Sequence, residues 1–127
     1  MGATRLRSPE LDQGPVVAIA QTTSKLGDMV TNLDRHVAIA HEQAAQGAHL
    51  VVFPELSLTG YFLKDLVPEV AVRPDDALLA PIREASKALD IVAGFVERDA
   101  QDRCYVASAF WSGGALVHVH RKVHLPT

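Results

Sequence analysis

The sequence has few of the features on which several specialised protein classes depend. Its single cysteine, Cys104, excludes an internal disulfide framework, because a disulfide bond needs two thiols. No apolar run comes near the roughly 20 residues that a membrane-spanning helix requires. There is no excess of basic charge either, since 12 Lys and Arg stand against 15 Asp and Glu and the formal net charge is −3. We therefore expect neither nucleic acid nor a membrane surface as a partner.

The first fourteen residues, MGATRLRSPELDQG, contain no apolar segment, so they predict no secretory signal peptide. They also lack an N-myristoylation signal, because Leu6 stands where serine or threonine is needed. We expect residues 1–14 to form a flexible tail and residues 15–127 to form one domain of a cytoplasmic protein. With 48% hydrophobic and 21% charged residues, the chain has a globular composition.

The first half of the chain predicts a strand, a helix and a second strand. PVVAIAQT (15–22) and AHLVVF (48–53) are apolar runs of strand length. Between them, Asp28 can cap a helix and Gly47 can end it. The inward stripe of this helix is expected to comprise Val30, Leu33, Val37, Ala40 or His41, and Ala44. A strand–helix–strand unit with short links favours parallel strands and a right-handed crossover.

The second half predicts another helix and three more strands. After an irregular segment, Asp75 or Asp76 can cap a helix. The inward stripe of that helix is expected to comprise Leu78 or Leu79, Ile82, Ala85 and Leu89. The strands are expected over DIVAGFVE (90–97), CYVASAFW (104–111) and ALVHVHRKVHL (115–125), with a tight turn at SGG before the last one. Strands that alternate with helices predict an α/β layered fold.

Two charged residues are candidates for catalysis. Glu55 directly follows a buried strand, and in open α/β sheets ligands bind outside the carboxyl ends of the strands. A carboxylate there can act as a general base shielded by apolar walls, or it can cap the turn that follows. Lys122 lies late in the last strand. Its ammonium can stabilise a developing oxyanion, or it can be a solvated charge that protects a sheet edge.

The histidines and the cysteine have weaker support as functional groups. His118, His120 and His124 are spaced as H-x-H-x-x-x-H, but Lys122 lies among them and no carboxylate or thiolate in the segment completes a zinc site. We therefore expect no bound metal. Cys104 follows a polar turn and opens a strand, away from the helix starts and glycine-rich turns that activate thiols, so we expect it to be structural.

Three blocks of sequence together resemble the carbon–nitrogen hydrolase (nitrilase) superfamily. They are VAIAQTTSKLGDMVTNLDRHVAIAHEQAAQGAHLVVFPE, then VVFPELSLTGY with Glu55, and HVHRKVHLPT with Lys122. The resemblance runs from Val16 to Thr127, and the blocks follow the order of the family. LSLTGY followed by KDL is most similar to predicted amidohydrolases and to the glutaminase domains of NAD synthetases.

The resemblance implies a four-layer α-β-β-α sandwich of which this chain supplies the N-terminal half. It implies hydrolysis of a carbon–nitrogen bond in a small amide, nitrile or carbamoyl compound by a Glu-Lys-Cys triad that needs no cofactor. Glu55 matches the general base and Lys122 matches the lysine of that triad. Tyr61 and Phe62 follow the base closely enough to line the pocket, although both can equally pack in the core.

The chain departs from the family pattern at the nucleophile. The family's cysteine lies well beyond the lysine block, so it would fall outside these 127 residues. Cys104 precedes the lysine and does not match it. A smaller departure is Val106, where family members often carry asparagine. We therefore expect the 127-residue chain alone to be inactive as an amidase or nitrilase.

Two other interpretations stay open. One is a catalytically inactive, truncated relative that acts only as an association module, because half of a sandwich leaves one sheet face uncovered. The other is the glutaminase half of an NAD synthetase. An uncovered sheet face also leads us to expect a homo-oligomer.

Overall fold

Six strands form one mixed sheet in the part of the chain that the structure describes. The structure is a computed structural model, and it describes residues 2–6, 14–60 and 67–124. The strands are β1 (Gly2–Leu6), β2 (Val17–Gln21), β3 (Leu50–Val52), β4 (Asp90–Arg98), β5 (Cys104–Ser112) and β6 (Ala115–His124). The helices are α1 (Met29–Ala45), α2 (Val67–Val70) and α3 (Ala80–Ala85), and a 3₁₀ turn at Ala77–Leu79 leads into α3.

The strands lie across the sheet in chain order, from β1 to β6. β2, β3 and β4 are parallel, whereas β1 pairs antiparallel with β2, and β4, β5 and β6 form an antiparallel meander. α1 makes the connection between β2 and β3. The predicted α/β class and the predicted parallel βαβ unit are therefore confirmed, and the strand ends lie within a few residues of the predicted ones.

The structure differs from the predicted flexible tail at Gly2–Leu6, which form β1. This strand runs antiparallel to β2, with Gly2 opposite Gln21 and Leu6 opposite Val17. A segment without an apolar run can still extend a sheet, because pairing at an edge uses backbone N–H and C=O groups. The limits predicted for the domain as a whole stay a prediction.

The main core lies between one face of the sheet and the two longer helices. α1 and α3 pack against each other, and Ile91, Ala93 and Phe95 of β4 point towards them because alternate residues of a strand share a face. The largest fully buried apolar side chains of the described residues are Trp111, Phe95, Leu58, Leu79, Ile82 and Ile91. Burial of this apolar surface supplies the main driving force for folding.

The inward stripe predicted for α1 is wrong in part. Its buried residues are Met29, Asn32, Leu33, His36, Ile39, Ala40 and Gln43. Val30, placed on the stripe from the sequence, is 61% exposed. The prediction left out the buried apolar residues Met29 and Ile39, and it did not foresee that three polar side chains take places on the buried face. Asn32 and His36 are compensated there by internal hydrogen bonds.

The opposite face of the sheet carries a smaller apolar cluster. It comprises Leu56, Val70, Ala71 and Val96, with Cys104 and Val106 packed against it. Val96 belongs to it because it is one residue out of phase with Phe95 of the main core. α2 contributes Val70, although the sequence predicted irregular structure there. This cluster supports the turn that follows β3.

Two helix caps are as the sequence predicted. The side chain of Asp28 accepts a hydrogen bond from the backbone N–H of Thr31 at the start of α1. Of the two candidate aspartates before α3, Asp76 is the cap. Its side chain accepts from the N–H of Leu78 at 2.9 Å at the start of the 3₁₀ turn that leads into α3.

Candidate active site

Glu55 lies in a tight turn where β3 ends. The N–H of Phe53 donates to the carbonyl of Val92, which carries the pairing of β3 and β4 one step further. The chain then folds back, because the N–H of Ser57 donates to the carbonyl of Pro54. We call residues 54–60 the Glu55 turn. Glu55 thus stands at the carboxyl end of an interior parallel strand, as the sequence predicted.

The side chain of Lys122 extends from β6 across the exposed face of the sheet to the Glu55 turn. Its Nζ donates to Oε2 of Glu55 at 2.7 Å, although 67 positions separate the two residues in the sequence. The side chains of Lys122 and Glu55 are 61% and 38% exposed. An ion pair with that much solvent contact contributes at most about 1 kcal/mol to stability. Its presence is therefore poorly explained as a device that stabilises the fold.

A β-bulge places Lys122 in this position. The ladder pairs Ala107 with Arg121 and Val106 with Val123, so that Lys122 is an extra residue in β6. A bulge bends its strand and changes the direction in which a side chain points, and bulges are common next to active sites. The bulge was not predicted from the sequence, because nothing in HRKVH distinguishes a bulge from a regular strand.

Glu55 and Lys122 share a cleft of about 410 Å³. Its remaining lining residues are Val52, Phe53, Pro54, Val92, Gly94, Val106, Ala107, Ser108 and His120. The volume is within the range of small-molecule sites, and the mixture of apolar walls with a few polar groups is typical of them. His120, which the sequence offered only as a metal ligand, lines the same cleft.

Gly94 allows the Glu55 turn to lie against β4. A Cβ at this position would overlap the backbone nitrogen of Leu56 and stand 3.1 Å from the carbonyl carbon of Glu55. Contacts shorter than 3.0 Å to backbone atoms force one of the two segments to move. Leu56 itself has a φ of 55°, a left-handed conformation that is rare for a leucine. The turn is therefore both close-packed and strained.

A buried histidine holds the turn from the side of α1. Nδ1 of His36 lies 2.6 Å from the backbone oxygen of Asn32, and Nε2 lies 2.7 Å from Oγ of Ser57. A carbonyl oxygen only accepts, so Nδ1 carries the proton and Nε2 accepts from the Ser57 hydroxyl. Burial lowers the pKa of His36 to about 4, against the opposing effect of the bond to Asn32. The ring also stacks on Phe53, with centroids 4.1 Å apart.

Asn32, one helical turn before His36, forms hydrogen bonds with two loops. Its side-chain nitrogen donates to the carbonyls of Lys25 and Leu58, and its side-chain oxygen accepts from the N–H of Lys25. Ser24 donates its hydroxyl to the backbone oxygen of Ser57. The loop before α1 and the Glu55 turn are thereby joined to the same helix face.

A second ion pair lies on the opposite side of β6. The buried carboxylate of Glu97 accepts two hydrogen bonds from Arg121, at 2.7 and 2.8 Å. The guanidinium also lies 4.5 Å from the ring centre of Tyr105. The hydrogen bond with Glu97 raises the pKa of Arg121. This bidentate pair fixes the strand at the residue that directly precedes Lys122.

Cys104 has the surroundings of a structural thiol. It opens β5, opposite Arg98, and packs against the smaller apolar cluster. Burial raises the pKa of its thiol, which lowers the fraction of the reactive thiolate. It is absent from the lining of the cleft that holds Glu55 and Lys122.

Among the described side chains, no group of three His, Cys, Asp or Glu residues is close enough to hold a metal ion. The side chain of His124 is outside that set. Tyr61 and Phe62, the predicted pocket-lining residues, also lie outside the described residues. No helix in residues 14–60 and 67–124 is long and apolar enough to cross a membrane.

Sequence reasoning missed the residues that support the site, although the sequence contained signals for three of them. Gly94 interrupts the strand IVAGFV, and a glycine inside a strand often marks a close backbone approach. Asn32 and His36 are spaced four apart in a helix, alongside the apolar stripe. No comparable signal marked Ser57, which the sequence shows only as one polar residue in a loop.

The sequence matches the carbon-nitrogen hydrolase family over residues 16–127. It is 33% identical over 112 residues to a glutamine-dependent NAD(+) synthetase of Acinetobacter baylyi. It is 31% identical over 113 residues to the synthetase of the same name from Thermotoga maritima. Both matches cover 87% of this chain but only 20% and 19% of the relatives, so the chain spans about a fifth of their length.

Solved structures give the same likeness. The glutamine-dependent NAD+ synthetase from Acinetobacter baumannii matches with a TM-score of 0.66 and 29% identity, over 87% of this chain and 21% of that one. An amidase from Nesterenkonia sp. matches with a TM-score of 0.73 and 23% identity, over 87% of this chain and 43% of that one. The second likeness concerns the fold alone.

We predict that Gly94→Ala displaces the Glu55 turn and lowers the free energy of unfolding by about 1–3 kcal/mol, because the added methyl group overlaps backbone atoms. Urea unfolding measures the loss, and the amide chemical shifts of Glu55 and Leu56 report the displacement. Gly47→Ala is the control. It adds a methyl group where nothing lies within 4 Å, so it strains the backbone at the end of α1 without moving the turn. Unchanged shifts in Gly94→Ala would contradict the prediction.

We predict that burial of His36 makes stability depend on pH between about 4 and 6.5. The folded chain keeps the ring neutral down to about pH 4, whereas the unfolded chain takes up a proton near pH 6.5. The unfolded state binds more protons in that window, so the free energy of unfolding falls as the pH is lowered, by roughly 3 kcal/mol in total. Urea unfolding across this range should show a smaller slope in His36→Phe. Equal slopes in both proteins would refute the assignment.

Proposed function

Because this chain belongs to the carbon–nitrogen hydrolase family, we propose that Glu55 and Lys122 act together in the hydrolysis of a carbon–nitrogen bond. The observation that carries the proposal is the 2.7 Å contact between the two side chains inside a shared cleft. An ion pair as exposed as this one contributes little to stability, so stability alone gives little reason for the contact. Family membership supports the reaction type, and the contact supports the choice of residues.

In the proposed mechanism Glu55 is the general base and a cysteine is the nucleophile. The carboxylate takes the thiol proton, and the thiolate attacks the carbon of the amide or nitrile. Lys122 stabilises the negative charge of the resulting intermediate. In the amide case, the leaving amine takes the proton from Glu55 and departs, and a thioester remains. Glu55 then removes a proton from a water molecule, which attacks the thioester, releases the acid and restores the thiol.

We assign the nucleophile to sequence outside residues 1–127. Cys104 is a poor candidate, because it packs in an apolar cluster and burial raises its pKa. The proposed complete domain is an α-β-β-α sandwich in which the present sheet and helices form one half. Tyr61 and Phe62, on the segment that follows the Glu55 turn, stay proposed lining residues of the pocket. A homo-oligomer also stays part of the proposal.

The proposed substrate is a small amide, and glutamine is the first candidate. Identity of 33% and 31% to glutamine-dependent NAD synthetases favours the interpretation as part of a glutaminase domain. No metal or organic cofactor takes part in the proposed steps, because base, nucleophile and oxyanion stabiliser are all side chains.

We predict that the 127-residue chain releases no ammonia from glutamine, other small amides or nitriles, because the thiol nucleophile is missing. The longest product of its own reading frame should release ammonia from at least one of them. In that product, Glu55→Gln should lower turnover by about 10²–10⁴-fold, which is the usual contribution of a general base. Ammonia release is measured by a coupled assay.

Glu42→Gln is the matched control, since Glu42 is an exposed carboxylate on α1. Turnover unaffected by Glu55→Gln would return Glu55 to the role of a residue that caps a turn. Turnover by the 127-residue chain that disappears in Cys104→Ser would refute the assignment of the nucleophile.

A further inference from the structure

We propose that His36 is a positioning residue for Glu55, which it holds towards Lys122 through its hydrogen bond with Ser57. The inference rests on the proposed role of Glu55. It concerns a side chain on α1 that is buried and has no access to a substrate, since His36 and Ser57 are each 2% exposed. The serine and histidine are therefore no nucleophile–base pair, despite their 2.7 Å contact.

The imidazole forms hydrogen bonds in addition to filling space in the core. Packing against Phe53 would be served equally by an apolar ring, and a buried polar group costs free energy unless it is hydrogen-bonded. One of its two hydrogen bonds stays inside α1, on the carbonyl of Asn32. The other crosses to Ser57, and only this bond connects the ring to the Glu55 turn.

A shift of Ser57 is passed directly to Glu55. The N–H of Ser57 closes the turn on the carbonyl of Pro54, so the two ends of the segment around Glu55 move together. Gly94 leaves no space on the side of β4. The left-handed conformation of Leu56 also has a backbone cost, which the surrounding contacts must offset. His36 supplies the contact from α1.

Fixing the carboxylate matters because its partner is a long side chain that is mostly exposed to solvent. Lys122 carries its ammonium on a long stem that is 61% exposed. A productive site requires its groups within about 0.5 Å of the correct positions. Because the packing of the fold encloses little of Lys122, the position of Glu55 has to be set by the fold. The turn, tied to α1 and pressed on β4, meets that condition for Glu55.

Carbodiimide coupling of the 127-residue chain tests the geometry without any need for turnover. The carbodiimide adds to a carboxylate and forms an activated ester. An adjacent amine attacks the carbonyl carbon of this ester and forms an amide. The reagent leaves as a urea, having taken up the elements of water. The bond between Glu55 and Lys122 is then quantified by mass spectrometry of peptides. The exposed pair of Glu84 and Lys87 on and beside α3, 3.0 Å apart, serves as internal reference.

We expect Ser57→Ala and His36→Leu to lower the ratio of the Glu55–Lys122 bond to the reference bond severalfold. His36→Gln should restore it, because the oxygen of a glutamine amide can take the position of Nε2 and accept from Ser57. The same changes at His41, exposed on the same helix, should leave the ratio at its wild-type value. Circular dichroism confirms that each variant is folded. Should His36→Leu fail to fold, the milder Ser57→Ala decides.

A wild-type ratio in folded Ser57→Ala would overturn the proposal, and so would failure of His36→Gln to exceed His36→Leu when both are folded. Failure of the proposed function has a different signature. The coupling ratio would respond as expected, while Glu55→Gln in the longest product of the reading frame would leave turnover unchanged.

Discussion

The Glu55 turn can lie against β4 only because β4 has no side chain at Gly94. The backbone of Leu56 occupies the space in which a Cβ would stand. The parallel pairing of β3 with β4 is complete at this point, so the chain has to leave the sheet. One hydrogen atom in place of a methyl group therefore decides how closely the carboxylate approaches the exposed face of the sheet. The cleft, the contact with Lys122 and the contact with α1 all follow from that approach.

Two ion pairs on opposite sides of β6 have different physical roles. Glu97 is almost fully buried, and its bidentate bond with Arg121 offsets the cost of removing the carboxylate from water. Removal of Arg121 would leave that charge buried and unpaired. Glu55 and Lys122 are both exposed to solvent, and their attraction contributes little to folding. The first pair holds the strand in place, and the second lies at the surface of the cleft, where both side chains contact solvent.

Much of the fold could be predicted from the sequence, because strands with apolar alternation and helices with capping residues have local signals. The βαβ unit, the cap at Asp28 and the meander of β4 to β6 are of this kind. Glu55 was a candidate because a charge directly after an apolar strand is conspicuous. The supporting residues could not be found in the same way. Whether His36 is buried, and whether it meets Ser57, depends on how α1 packs, and the pattern of apolar residues in α1 alone does not determine this.

The two extra residues in β6, Val117 and Lys122, constrain how this part of the chain can vary in length. Side chains of a strand alternate between faces, and a shift by one residue exchanges the faces. The tight turn at Gly113 and Gly114 sets the start of the count, a first bulge at Val117 shifts it by one residue, and the bulge at Lys122 shifts it again. Between Val117 and Lys122, a single insertion or deletion that neither bulge absorbs would carry the ammonium to the helix side of the sheet, into the region of Glu97. Related sequences should therefore tolerate substitutions along 115–121 far more readily than gaps.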